Sequence, residues 1–161
     1  MTMRARLFPW YALAAAVVAA DQVTKAWVLA VLRLGEGMVL TPFFNLVLVF
    51  NRGAAFSFLA SAEGWQRWFF VVLALVISVG IVIAMRKAAA NRWLLAALAL
   101  VLGGALGNVI DRLIYGAVVD FLDFHAAGWH WPAFNLADSA ICVGIVLLLW
   151  QEFKHKDSRH G

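Results

Sequence analysis

The chain has 161 residues, of which 65% are hydrophobic and only 14% charged, with a formal net charge of +4. A soluble domain carries about 25% charged residues, so this chain lacks the polar coat of a water-facing protein and lipid is the solvent for most of it. One small membrane domain over residues 1–161 fits the length. The single cysteine, Cys142, excludes an intramolecular disulfide and a thiolate metal site; inside an apolar run, it reads as a small core hydrophobe.

In chain order, the first apolar run is Leu7 to Leu32, interrupted by Asp21, Gln22, Thr24 and Lys25. Its basic start and the small residues near Ala20 also suit a cleavable leader, but the apolar pattern resumes at Ala26, which favours a retained span. Residues 33–67 follow. Pro42 breaks a helix there, and Val39 to Phe50 is too short to span but rich in strand formers. A small β element over about 36–60 is expected, with Asn51-Arg52-Gly53 as a turn and a short amphipathic helix near Ser61–Trp68. The second run is Trp68 to Met85, the third Trp93 to Ile110, and the fourth Ala133 to Trp150. A helix needs about 20 apolar residues to cross, so four spans are expected, over about 10–32, 68–85, 93–112 and 134–151. Residues 111–132 form a second outer connection. The predicted fold is an all-α membrane protein: four transmembrane helices, with the β element and the short helix at the outer face.

Four crossings put both termini on one side. Arg4, Arg6, Arg86, Lys87, Arg92, Lys154, Lys156 and Arg159, eight of the 13 basic residues, lie on that side, which the positive-inside rule makes cytoplasmic. Trp10, Trp93 and Trp150 mark this interface; Trp65, Trp68, Trp129 and Trp131 mark the other.

Acids break the apolar pattern. An ionised carboxylate at bilayer depth costs roughly 2.5–3.5 kcal/mol on insertion scales, so Asp21, Asp111, Asp120 and Asp138 signal a polar site. Helical rise places Asp111 roughly 27 Å from Trp93, Asp138 about 18 Å from Trp150 and Asp21 about 16 Å from Trp10. Asp120 and Asp123 follow the third span and can fold back over its outer end, so the acids share one layer. Asn108 and Asn135 each precede an acid by three residues and lie on its helical face. The plainer reading of Asp21 with Lys25 is an internal ion pair, that of Asp111 with Arg112 a structural network, and that of Asp123 a water-facing acid. Gly103 and Gly107 read as a close helix-packing motif, and His125 and His130 as interfacial polar residues.

The chain has no HExxH, no Cys/His metal set, no P-loop and no Gly-x-Ser-x-Gly. Two carboxylates sharing a site cannot both ionise readily. The ionised one can take a proton from water while the protonated one polarises a carbonyl. That is aspartic-peptidase chemistry, needing no cofactor or metal. The alternative is a proton- or cation-coupled transporter using intramembrane aspartates, although acids at one depth suit a site better than a pathway. A third reading is a structural membrane protein with buried ion pairs.

Five stretches then carry a resemblance: DQVTK at 21–25, NRGAAFS at 51–57, GGALGNVIDR at 103–112, VVDF at 118–121 and FNLADSAI at 134–141. In this order, with four spans, they resemble bacterial lipoprotein signal peptidase, also called signal peptidase II. The resemblance implies an inner-membrane aspartic endopeptidase that removes signal peptides from diacylglyceryl-modified prolipoproteins, cutting before the lipidated cysteine. It implies a catalytic pair, Asp120 and Asp138, with Asp21, Asn51, Asn108, Asp111, Arg112 and Asn135 supporting site or substrate. Lys25 and Gly53 join this supporting set through their motifs. A small β-cradle and a short periplasmic helix are implied as well. The expected partners are the lipid-modified substrate and membrane lipids, not nucleic acid, and the expected state is a monomer. The small residues of NRGAAFS, Ala54 and Ala55 among them, leave room for a lipidated cysteine.

Overall fold

The computed structural model describes residues 3–53, 64–88 and 91–160. Four helices carry the chain across: α1, Met3–Val31; α2, Trp65–Lys87; α3, Arg92–Tyr115; and α4, Leu136–His160. All four contain stretches long and apolar enough to span a membrane. Four strands form one antiparallel array: β1, Gly37–Thr41; β2, Phe44–Asn51; β3, Val118–Ala126; and β4, Trp129–His130, in the order β1-β2-β3-β4. Ala54 and Ala55 lie outside the described residues. So does the start of the short helix expected near 61–68; from Trp65 the chain is already in α2.

Helix α3 is the centre of the bundle: 56% of its apolar stretch is buried, against 22%, 22% and 11% for α1, α2 and α4. Its glycines explain how the others reach it. A Cβ at Gly103 would meet the Ala14 carbonyl and Val17 of α1 at 2.7 Å, and one at Gly104 would collide with the Ala137 carbonyl of α4. Reciprocally, a Cβ at Gly144 of α4 would lie 2.8 Å from the Ala97 carbonyl of α3. These are backbone-to-backbone approaches of the kind small residues permit in lipid. Gly107 does something else, because a Cβ there would lie 2.6 Å from the Asp21 carboxylate. Half of the expected packing motif therefore makes room for an acid.

The ends of α3 are set locally. Asn91 accepts from Leu94 N at 3.1 Å to cap its start. Gly116, at φ 75°, takes the left-handed conformation that closes its end and returns N–H to Arg112 O. The chain then turns straight into β3, which brings Asp120 back over the end of the helix it has just left.

Two apolar clusters lie on either side of a polar layer. One joins Leu7, Ala14, Ile81, Met85, Leu95, Leu98, Ala99 and Leu102 from α1, α2 and α3. The other joins Val28 and Leu32 to Leu46, Leu48, Val119 and Phe121 under the sheet. In lipid, the first of these clusters is held by close van der Waals packing rather than by release of apolar surface from water.

The second connection contains β3 and β4, joined by a two-residue turn with positive φ at both Ala127 and Gly128. The β2–β3 register shifts between Leu46, opposite Leu122, and Val49, opposite Asp120. This bulge adds one residue to β2 beside the candidate site. Two further expectations are corrected. Cys142 is exposed on α4 rather than buried in the core. Asp123 is buried, accepting from Asn45 Nδ2 at 2.9 Å and lying 2.9 Å from His130 Nδ1, because side chains of the two neighbouring strands cover it.

Candidate active site

Residues from α1, α2, α3, α4, β2 and β3 converge between the two apolar clusters. The construction starts at Phe134, whose N–H donates to Leu122 O at 3.1 Å and whose carbonyl accepts from Phe121 N and Leu122 N. This short bridge pins the entry of α4 against β3. Asn135 follows. Its Oδ1 accepts from Asp138 N at 2.9 Å, and its own N–H donates back to Asp138 Oδ2 at 3.3 Å. These are the reciprocal bonds of a capping box, with Asp in the acidic position. The side-chain amide of Asn135 donates to Asp120 Oδ1 at 2.8 Å. One asparagine therefore holds both acids.

Each oxygen of the two carboxylates has a donor. Asp120 Oδ2 accepts from Asn51 Nδ2 at 3.1 Å, across the β2–β3 pair. Asp138 Oδ1 accepts from Asn108 Nδ2 at 2.8 Å. Asp120 is buried and Asp138 only partly so, which leaves Asp138 on the more open side. Burial, and after it the nearby Asp138 carboxylate, pushes Asp120 from 3.8 up to about 7 against the pull of its asparagine donors.

Behind the pair lies a second buried group. Lys25 Nζ is 2.7 Å from Oδ2 of both Asp21 and Asp111, and donates to Asn108 Oδ1 at 3.1 Å. All three residues of the ion cluster are at most 2% exposed. Asp21 Oδ1 accepts from Ala137 N at 3.0 Å, and Asp111 Oδ2 from Val119 N at 3.0 Å. Gln22 Nε2 donates to Asp111 Oδ1 at 2.9 Å and to Gly107 O at 3.2 Å. Arg112 donates to Gly53 O and Asn108 O, both at 3.3 Å, with its guanidinium 5.1 Å over the Phe70 ring. Gly53 N in turn donates to Asn51 Oδ1 at 3.0 Å.

The ten residues singled out from the sequence thus meet in one connected network. Asp123 points elsewhere, three residues from Asp120 and so on the opposite face of the strand. His125 and His130 stack on each other at 4.8 Å on that outer side. Gln22 was not among the ten. It lies about 100° around the helix from Asp21, and nothing in the local pattern links it to Asp111, 89 residues away.

A four-span bundle with two carboxylates on one asparagine fits the membrane proteases of the aspartic type. The signal peptidase II family model matches residues 13–154, and the chain belongs to that family. Among its relatives, the lipoprotein signal peptidase of Janthinobacterium sp. (strain Marseille) is 53% identical over 148 residues, covering 92% of this chain and 90% of its own. That of Azoarcus sp. (strain BH72) is 58% identical over 153 residues, covering 93% and 87%. A solved bacterial membrane enzyme, obtained by the in meso method at 2.3 Å, superposes with a TM-score of 0.84 at 33% identity, covering 93% of this chain and 90% of its own.

Proposed function

We propose that this chain, a single integral membrane domain, removes the signal peptide from diacylglyceryl-modified prolipoproteins, with Asp120 and Asp138 as the catalytic pair. The observation that carries the reading is Asn135, which hydrogen-bonds both carboxylates, with burial pushing Asp120 up to about 7. Two acids so placed retain one proton between them at neutral pH. The ionised carboxylate takes a proton from water, whose oxygen attacks the scissile carbonyl. The protonated carboxyl donates to the carbonyl oxygen as the tetrahedral intermediate forms. Collapse breaks the C–N bond: the proton first taken from water passes to the leaving amine, and a hydroxyl of the intermediate returns its proton to the second carboxylate as the product carbonyl forms, restoring the pair.

The substrate carbonyl must be free of helical hydrogen bonds, so the signal peptide unwinds at the cut, just before the lipidated cysteine. Acyl chains hold that cysteine in the outer leaflet, beside the β element. In this orientation the termini face the cytoplasm of the inner membrane, the site faces the outer side, and the enzyme acts as a monomer. Transport finds no support: the acids are gathered rather than strung through the membrane, and the named relatives are peptidases.

The test uses purified protein with lipidated and unlipidated forms of one prolipoprotein. Cleavage of the lipidated form alone is expected. Asp120→Asn and Asp138→Asn are each expected to abolish it while the protein still inserts and unfolds cooperatively; wild-type turnover in either removes that residue from the mechanism.

A further inference from the structure

The buried cluster behind the acid pair has a geometry that a charge-neutralising role does not require. Asp21 is tied to Ala137 N, and Asp111 to Val119 N. Ala137 immediately precedes Asp138, and Val119 immediately precedes Asp120. Lys25 draws the two cluster carboxylates onto one nitrogen at 2.7 Å each. It thereby sets how far the start of α4 stands from β3, the two elements that carry the acids.

The third contact of Lys25 acts on orientation. An asparagine side chain has an acceptor end and a donor end, and its neighbours decide which way it faces. An ammonium offers only donors, so the end of Asn108 toward Lys25 must be oxygen. That oxygen also accepts from Asn135 Nδ2 at 3.2 Å. The NH2 of Asn108 is left facing Asp138 Oδ1, at 2.8 Å. Reversing the amide would aim two donors at donors and an oxygen at a carboxylate.

We propose that Lys25 is the positioning residue of the acid pair: it spaces β3 from α4 through Asp21 and Asp111, and it locks the Asn108 amide in the orientation that donates to Asp138. The inference rests on the reading of Asp120 and Asp138 as the acids. Lys25 does not touch the reacting atoms in this scheme.

Removing Lys25 alone leaves two buried carboxylates unpaired, and such a protein is expected to fold badly. The double variant Lys25→Gln with Asp111→Asn removes one charge of each sign and leaves a single carboxylate, Asp21, which still accepts from Ala137 N. Asn at position 111 can still accept from Val119 N, and Gln at position 25 can face Asn108 with either end of its amide. The readouts are thermal unfolding, kcat and KM on a lipidated prolipoprotein, and the pH dependence of kcat. A midpositioned acid loses about 10²-fold in rate for an error near 1 Å, so kcat is expected to fall by about 30-fold or more. KM stays within about threefold, because ground-state binding is untouched. The kcat–pH profile departs from that of the wild type, since the acid pair has lost a fixed donor.

A folded double variant with wild-type kcat and pH profile overturns the inference. Asn108→Asp provides a second route that keeps shape and still faces Lys25 with oxygen but removes the donor to Asp138. Its kcat at neutral pH is expected to fall to a similar extent, and wild-type kcat there is equally fatal. Asp138→Asn is assayed alongside. If it is active, the acid-pair reading fails; if it is inactive while the double variant turns over normally, only the role of Lys25 fails.

Discussion

Asn135 uses its backbone N–H and both ends of its amide on the two acids, so its substitution separates stability from chemistry. Asn135→Ala removes a helix cap, at about 1 kcal/mol, and the donor to Asp120. Asn135→Ser can restore the cap but cannot reach Asp120. Thermal unfolding is expected to recover most of the loss in the Ser variant, while cleavage stays about 100-fold down, the usual cost of one positioned donor. Full activity in Asn135→Ser would show that the bond to Asp120 is dispensable. Asp120 also makes a stability prediction. Its folded value lies near 7 against an ordinary 3.8, so between those values the folded protein holds a proton that the unfolded chain releases. The stabilisation is complete below about 3.8 and declines as pH rises through about 7. Wild type is therefore expected to lose thermal stability relative to Asp120→Asn as pH goes from about 4 to about 8. A constant gap between the two melting curves would contradict the raised value.

Among the elements, α3 tolerates the least change because three partners lie against it. Gly104→Ala puts a methyl into the Ala137 carbonyl, and α4 must move away from α3; overpacking of this sort costs about 1–3 kcal/mol. Gly80 of α2 has nothing within 4 Å of its would-be Cβ, so Gly80→Ala is expected to be neutral or to gain up to about 1 kcal/mol of helix propensity. Detergent-phase unfolding of the two variants compares them directly, and equal stability would mean that α3 and α4 do not meet at Gly104. The strands show where local reading stops. β2 is apolar and alternates in burial, and its strand character is visible. β3 is buried on both faces from Val118 to Phe121, so Val118-Val119-Asp120-Phe121-Leu122-Asp123 has no two-residue alternation to betray a half-buried strand.

For the molecule as a whole, orientation is the outstanding prediction. In a Cys142→Ser background, Gly128→Cys at the β3–β4 turn is expected to react with an impermeant maleimide added outside intact spheroplasts. Lys87→Cys, at the end of α2, is expected to react only after permeabilisation. The reverse pattern would invert the proposed topology and move the acid pair away from the outer leaflet. The aromatic belts agree with this arrangement. Trp65, Trp68, Trp129 and Trp131 are all exposed, and Trp93 packs edge-on against Trp150 with ring centroids 5.7 Å apart at the opposite end of the bundle.

Spans and the acidic character of the site follow from sequence alone, because hydrophobic run length and a carboxylate inside an apolar stretch are local properties. The i,i+3 pairs Asn108/Asp111 and Asn135/Asp138 are legible for the same reason. What they touch is not. Asn108 serves Asp138 and Lys25 rather than the acid on its own face, and Asp21 is tied to Ala137, 116 positions away. Gln22 enters the network, and Asp123 leaves it for Asn45 and His130. Those partnerships were decided by three glycines that let helices close to backbone contact and by a left-handed turn at Gly116 that folds β3 over α3. Hydrogen bonds reach only about 3 Å, so which polar groups meet depends on how helices seat against one another, and that seating is a property of the assembled chain.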